Sequence, residues 1–412
     1  MRPQFHFTAP SGWINDPHGI TFRDGQYHLF YQYVPDSLKW APNCHWGHAL
    51  SPDLFTFEHL PVAIAPGDGD DGIWSGSLVT DDSGSARIFY TSVTEPDIGS
   101  GRVRVATPVD EDWVEWKKGS VVAGVPAGLH TVAFRDPFVF RDGSHWRMFV
   151  GAALEDGSAA AASYKSEDLS TWEYEGIAAS RSTSLVDPVW TGRLWECPQV
   201  FEIGGRHALV TSVWDADTLH YVAYALGDYL DGKFTADTWG RLSYGDSYYA
   251  PSFFRDQDGV ACLTFWLRGV GDHADGWESA HSVPHTVTLR DGRLEAAPHA
   301  ELSKYRGREV NAGEIVGPAV DCDWHSGGQF VVYAEGECAA SVHVGEPDAL
   351  TLHIGEDSWT MPHDSAKVRI VVDGPTIEIS TSQGVLAAPI SPKSNALSFS
   401  FDGVATIFEL VR

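Results

Sequence analysis

The sequence predicts an all-β protein, a five-bladed β-propeller followed by a C-terminal antiparallel β-sandwich. Three observations carry this. A hairpin pattern recurs five times at near-constant spacing, a run of short alternating strands follows it, and stretches with sustained helical periodicity are scarce.

The five copies come in order. The first reads NDPHGITFRDGQYHLFYQ around Asp16, the second SGSLVTDDSGSARIFYTS from Ser75 and the third RDPFVFRDGSHWRMFVG around Asp136. The fourth reads ECPQVFEIGGRHALVTS around Glu196 and the fifth APSFFRDQDGVACLTFW from Ala250. Each is a short apolar strand, a Gly-containing turn and a second apolar strand. By subtraction, Asp16 to Gly76, Gly76 to Asp136 and Asp136 to Glu196 are each 60 positions, and Glu196 to Ala250 is 54. Such a unit holds about four strands. The further ones come from runs such as HWGHALS at His45 and AAAASYKS at Ala159, often followed by an acidic-aromatic turn such as SPDLFTF or SEDLSTW. Four-stranded units repeated radially leave only short, protected edges, whereas an open stack of these Val-, Phe- and Tyr-rich strands would invite aggregation.

From about Val310 the repeat stops. QFVVYA, ALTLHIG, AKVRIVV, TIEISTS, ALSFSF and TIFELV alternate apolar and polar residues between Gly, Asp and Pro turns, as strands of an antiparallel sandwich do. The expected division is a propeller over residues 1–305 and a sandwich, read as a structural module, over residues 306–412.

Composition narrows the partners. The chain has 412 residues with 28 basic and 56 acidic side chains, a formal net charge of -28. Repulsion of that size disfavours nucleic acid and anionic membrane surfaces and leaves a neutral small molecule as the expected partner. Cys44, Cys197, Cys262, Cys322 and Cys338 are odd in number and lack C-x-x-C spacing, which suggests neither a disulfide framework nor a zinc site. Met1 to Pro10 contains no apolar run, and nothing approaches the roughly 18 apolar residues of a membrane span, so the expected location is the cytoplasm. The 18 histidines show no H-E-x-x-H or comparable ligand pattern, and no metal or cofactor is expected.

If the copies superpose, Asp16, Asp136 and Glu196 occupy equivalent places at the start of the inner strands of blades one, three and four. They then converge on one end of the channel. Three acids in a concave site repel one another and lose hydration, so at least one should keep its proton near neutral pH. Glycoside hydrolysis needs such a set, an ionised carboxylate at the anomeric carbon and a protonated one at the leaving oxygen. Singly, an Asp before Pro is most often a turn former. Trp13, Trp74 and Trp195 flank the acids and suit either a sugar pocket or packing between blades.

Several ordered segments resemble glycoside hydrolase family 32, the family of invertases, inulinases, levanases and fructosyltransferases. They are WINDPHG at Trp13 to Gly19, FYQ at Phe30 to Gln32, WGHALSPDL at Trp46 to Leu54, WSGS at Trp74 to Ser77, FRDP at Phe134 to Pro137 and WECP at Trp195 to Pro198. The resemblance runs through the whole propeller and implies the same propeller and sandwich that the repeats suggest. It also implies Asp16 as nucleophile, Glu196 as general acid/base and Asp136 as the stabiliser that hydrogen-bonds fructose hydroxyls, with retention through a covalent fructosyl-enzyme. Asn15, Gln32, Trp40, Trp74, Ser75 and Arg135 match positions that line the fructose pocket in the family. Trp266 and the segment from Tyr244 to Pro251 are expected to complete its wall. Cys197 matches a cysteine whose neighbourhood tunes the acid, although a small residue packing under the strand is the simpler account.

Two positions depart from the common pattern, His18 where Asn is frequent and Gln199 where Asp commonly follows. Both are expected beside the leaving group, where they would bear on which aglycone is accepted. Besides a hydrolase releasing fructose, the residues leave open a fructosyltransferase of the same family, an arabinan- or xylan-acting propeller enzyme, and a fructan-binding protein without activity.

Overall fold

The computed structural model describes residues 1–412 apart from 326, 346, 347, 365 and 366, and among these it is all-β except for one short 3-10 helix, Ala300–Tyr305. Ala366, which opens the run AKVRIVV, lies outside the described residues, and that strand is Lys367–Asp373.

Units two, three and four are each one four-stranded antiparallel sheet in chain order. The second is Gly72–Thr80, Ala86–Val93, Arg102–Pro108 and Trp116–Ala123. The third is Thr131–Asp142, His145–Leu154, Ser158–Ser166 and Glu173–Ser182, and the fourth is Leu194–Ile203, Arg206–Asp215, Thr218–Leu230 and Lys233–Arg241. The first unit, Gly12–Arg23, Gln26–Val34, His45–Ser51 and Glu58–Ile64, does not end at its own edge. A five-residue strand, Trp277–His281, pairs parallel with Gly12–Arg23 and antiparallel with Ala261–Asp272 of the fifth unit, so the two units share one nine-stranded sheet. The first strands of successive units lie against one another, and that of the fifth, Tyr248–Arg255, lies against that of the first.

The turns SPDLFTF and SEDLSTW share their wiring. Ser51 Oγ accepts the Leu54 N–H at 2.7 Å and Ser166 Oγ that of Leu169 at 2.9 Å, while Oδ1 of Asp53 and of Asp168 each accepts two more backbone N–H groups. Short polar side chains thus satisfy amides that no strand partner reaches. Leu54 and Leu169 take φ of 72° and 61°, a conformation costing about 1–2 kcal/mol, and bury their side chains, which offsets about as much.

The C-terminal strands form two sheets. One runs in spatial order Ser243–Tyr244, Gly384–Pro389, Thr376–Thr381, Lys367–Asp373, Ala319–His325, Val404–Leu410 and Arg306–Val310. The other runs Asp357–Pro362, Ala349–Ile354, Glu337–Gly345, Gln329–Ala334 and Leu397–Phe401. Both sheets contribute to one core, Trp324, Ile370 and Ile379 from the first meeting Phe330, Val342 and Leu352 from the second, all fully buried. The outer face of the seven-stranded sheet rests on the N-terminal units. Val371 and Leu410 join Phe5 and Phe55, and Val385 and Ala387 join Leu242 and Tyr248. No helix is long and apolar enough to cross a membrane among the described residues.

Candidate active site

Every unit's first strand is interrupted at the same level. Asn15 and Asp16 stand opposite Gln32 alone, Asp136 and Pro137 opposite Val150, Cys197 and Pro198 opposite Thr211, and Ala250 and Pro251 opposite Phe265; in the second unit Ser75 is the extra residue. A bulge re-aims the side chain it displaces, and a strand proline, which cannot donate to the ladder, marks where one sits. Asp-Pro is therefore a strand bulge here, not the end of a strand. Asp136, Cys197 and Ala250 adopt positive φ of 66°, 48° and 41°. Neighbouring hydroxyls hold this backbone: Thr91 Oγ1 accepts the Asp136 N–H at 2.8 Å and donates to Ser75 O, and Ser212 Oγ accepts the Ala250 N–H at 2.9 Å. His281, on the short joining strand, lies with Nε2 2.7 Å from the Asn15 carbonyl. Thr91, Ser212 and His281 had no signal in the sequence, because their work is done through backbone across strands far apart in the chain.

The bulges bring the three acids together, the two aspartates joined through Cys197 and Glu196 linked to Asp136 through Arg135. Asp16 takes the Asn15 side-chain amide on Oδ1 at 3.0 Å and the Ser75 hydroxyl on Oδ2 at 2.6 Å, and Gln32 Nε2 donates in turn to Ser75 Oγ. The Cys197 thiol lies 3.6 Å from Asp16 Oδ2, and the Cys197 N–H donates to Asp136 Oδ2 at 3.1 Å. Cys197 therefore bridges the two aspartates, which packing alone does not describe. Arg135 donates to Glu196 Oε1 at 2.7 Å and sits 4.0 Å from Asp136 Oδ2. Tyr249 Oη donates to Glu196 Oε2 at 2.6 Å.

Burial sets the protonation of the aspartates. Loss of hydration pushes Asp16 up to about 6 against the Ser75 hydrogen bond, with the Glu196 charge adding to the rise. It pushes Asp136 up to about 7 against the pull of Arg135, with Glu196 and Asp16 again raising it. Burial works against the charge on Arg135, and Glu196 and Asp136 more than offset this, so its pKa rises. A concave site with a poised carboxyl, an ionisable neighbour and fixed donors can attack an acetal carbon and move a proton to the oxygen that leaves.

The tryptophans divide. Trp74 is 5.9 Å from the Arg135 guanidinium and meets the exposed Trp40 edge to face at 5.6 Å. Trp266 is buried and packs edge to face on Trp13 and Tyr249, forming a back layer behind the site. Trp195 is fully buried against Trp239 on the opposite side of its strand from Glu196, so it belongs to the core. Of the segment from Tyr244 to Pro251, Tyr249 reaches Glu196, whereas Tyr244 pairs with Leu386 of the C-terminal sheet.

His18 and Gln199 are both buried. They line a cavity of about 50 Å³ beneath the acids, together with Ser77, Asp136 and Phe253, which has room for a few waters and none for a sugar ring. Gln199 ties the fourth unit to the fifth, donating to Pro251 O at 2.5 Å and accepting the Phe253 N–H at 2.6 Å. His18 stacks on Trp46 at 4.9 Å, and burial pushes its pKa down to about 3.

Among the described residues, Asp256, Cys262 and His299 are grouped closely enough to be considered as metal ligands. They lie away from the acids. His299 Nε2 is 3.0 Å from Asp256 Oδ2 while Asp256 Oδ1 accepts the Asp258 and Val260 N–H groups, a satisfied hairpin and helix cap.

Comparison with known proteins accords with this geometry. The family model for the glycosyl hydrolases family 32 N-terminal domain matches residues 6–298. The chain is 34% identical over 334 residues to the sucrose-6-phosphate hydrolase of Zymomonas mobilis, covering 74% of this chain and 64% of that one. It thus spans under two thirds of that relative's length. Its fold is similar to the family 32 β-fructofuranosidase of Bombyx mori, with a TM-score of 0.86 at 23% identity over 100% of this chain and 94% of that one. The sucrose-6-phosphate hydrolase of Lactobacillus gasseri superposes with a TM-score of 0.84 at 22% identity, over 99% and 93% of the two chains.

Proposed function

We propose that this chain, which belongs to glycosyl hydrolases family 32, is a retaining hydrolase of terminal β-D-fructofuranosyl units in sucrose, fructo-oligosaccharides or fructans. The observation that carries the reading is the convergence of Asp16, Asp136 and Glu196, each on the bulged first strand of a different unit, into one group in which Cys197 joins the two buried aspartates and Arg135 links Asp136 to the half-buried Glu196.

In this reading an oxygen of ionised Asp16 attacks the anomeric carbon while Glu196 passes a proton to the departing oxygen. Glu196 then takes a proton from the water that releases fructose and regenerates the Asp16 carboxylate. Asn15 and Ser75 aim Asp16, and Asp136, held by Arg135 and the Cys197 N–H, is set to bond sugar hydroxyls. Trp40, Trp74, Gln32 and Arg135 form the near wall, with Trp266 behind it. No cofactor enters these steps.

The same reading takes the five units as blades of a propeller over residues 1–305 and the two C-terminal sheets as a sandwich over residues 306–412. Support comes from the first strand of each unit lying against the next, fifth against first included, and from the core shared by the two sheets. A reducing cytoplasm is the proposed location, which five unpaired cysteines suit.

The experiment is product analysis by chromatography on sucrose, short fructo-oligosaccharides, inulin and levan, for the wild type, Asp16→Ala and Glu196→Ala. Free fructose that disappears in both variants is the expected result. An inactive wild type, or variants as active as it, would overturn the substrate class or the site.

A further inference from the structure

The acids stand near the starts of their strands, Asp16 in Gly12–Arg23, Asp136 in Thr131–Asp142 and Glu196 in Leu194–Ile203. In antiparallel units, the segments that lead into first strands and those that join second strands to third ones lie at that same end and surround the mouth of the site.

Their charge is one-sided. Segment 35–44 carries one carboxylate, 65–71 three, 94–101 and 155–157 two each, and 183–193, 216–217, 242–247 and 273–276 one each. Against these stand Lys39, Arg193 and, in segment 1–11, Arg2. All of these carboxylates except Asp70 are exposed; Asp70 is paired with Arg104 at 2.9 Å and Lys118 at 3.4 Å, and Asp275 with Arg2 at 3.2 Å.

The arginines that reach inward are already engaged. Arg135 binds Glu196 between the faces of Trp74 and Trp214. Arg268 donates to the carbonyls of Leu219 and His220 while lying over Tyr249, and Arg241 donates to Ser243 O between the rings of Tyr221 and Tyr244. Arg181 donates to the Asp187 and Val189 carbonyls, and Arg2 to those of Ala9 and Pro10 and to Asp275.

A phosphate monoester is close to a dianion at neutral pH, and proteins hold one with several convergent cationic or N–H donors, arginine forks above all. A mouth with many exposed carboxylates and its inner arginines spent on carbonyls and on Glu196 offers the opposite field. We propose that this mouth selects fructosides whose leaving group is uncharged, taking sucrose and neutral fructo-oligosaccharides ahead of sucrose 6-phosphate. The inference rests on the fructoside-hydrolase reading and sets this chain apart from the substrate for which several of its relatives are named.

The test is kcat/KM for sucrose and for sucrose 6-phosphate, at low ionic strength and again with salt at about 0.5 M, where charges more than a few ångströms apart are screened. The expected result is a preference for sucrose of tenfold or more that narrows as salt raises the rate on the phosphate and leaves that on sucrose unchanged. Equal or better use of the phosphate would overturn the inference while leaving the hydrolase reading intact. Arg193→Ala, measured in parallel, would then lose the phosphate activity selectively if that residue is the anion's partner. A preference for sucrose that salt does not narrow would also overturn it, since exclusion would then be steric. An enzyme that releases fructose from neither sugar nor from fructo-oligosaccharides removes the hydrolase reading, and the inference falls with it.

Discussion

Arg135 and Tyr249 divide Glu196 between them. Nε and Nη2 of Arg135 donate to Oε1 at 3.2 and 2.7 Å, and the Tyr249 hydroxyl donates to Oε2 at 2.6 Å. Each oxygen of the proposed acid/base has its own donor, so the plane of the carboxyl is fixed before substrate arrives. Tyr249→Phe should lower kcat on sucrose by roughly 10- to 100-fold, a part of what a positioned proton donor contributes, with KM little changed. A loss confined to KM would assign Tyr249 to substrate binding instead.

The Asp16 carboxyl, raised to about 6 by burial, must be ionised to act as the proposed nucleophile, so kcat/KM should fall as pH drops through about 6. The Ser75 hydroxyl, 2.6 Å from Oδ2, favours the charged form and holds that value down. In Ser75→Ala the acid limb of the pH profile should move upward, by about half a unit or more. A limb that stays in place, or moves to lower pH, would show that another group controls it.

Asp136 is pushed up to about 7 in the folded chain, above its value when unfolded. The protonated form is thus the one the fold prefers. The stability associated with this group is whole below the unfolded carboxylate range near pH 4 and is lost as pH rises through about 7. Asp136→Asn, neutral at every pH and still able to accept the Cys197 N–H, should therefore abolish activity and raise the melting temperature at pH 8. The gain should shrink toward pH 4.5. Calorimetry at the two pH values decides it, and a variant less stable than wild type at pH 8 would falsify the account.

Much of the fold and the site was legible in the sequence, and for physical reasons. The hairpins around Asp16, Asp136 and Glu196 are local, and a strand, turn and strand at a 60-residue interval can be read without knowing their partners. Pro17, Pro137, Pro198 and Pro251 even carry the signal for the bulges, since a proline lacks the N–H that an unbroken central strand needs at that position. Trp277–His281 was not legible, because five residues of mixed polarity gain strand character only from Gly12–Arg23 on one side and Ala261–Asp272 on the other. That His18 and Gln199 line a small cavity beneath the acids was not legible for a related reason. Across a bulge the alternation of faces breaks, so spacing from the acid does not fix the side on which a residue beyond the bulge lies.

The last prediction concerns how the N-terminus is held to the C-terminal sheet. Asp373 Oδ2 accepts the Phe5 N–H at 2.6 Å and lies 2.8 Å from His6 Nδ1, and Glu378 Oε2 lies 3.3 Å from His6 Nε2, with all three side chains fully buried. Burial alone would push His6 down; the two carboxylates more than offset it and raise its pKa to about 10. A histidine raised on folding contributes stability that is complete below its unfolded pKa near 6.5 and is lost as pH climbs through about 10. Asp373→Asn should remove much of this, leaving Glu378 as the one carboxylate facing the ring and costing on the order of 3 kcal/mol at pH 6, the usual scale for breaking one partner of a buried pair. Between pH 7 and 10 the wild type should lose stability more steeply than the variant, because the variant has less of it left to lose. Denaturant midpoints across that range test the assignment, and parallel slopes for the two proteins would mean that His6 is neutral in the folded chain.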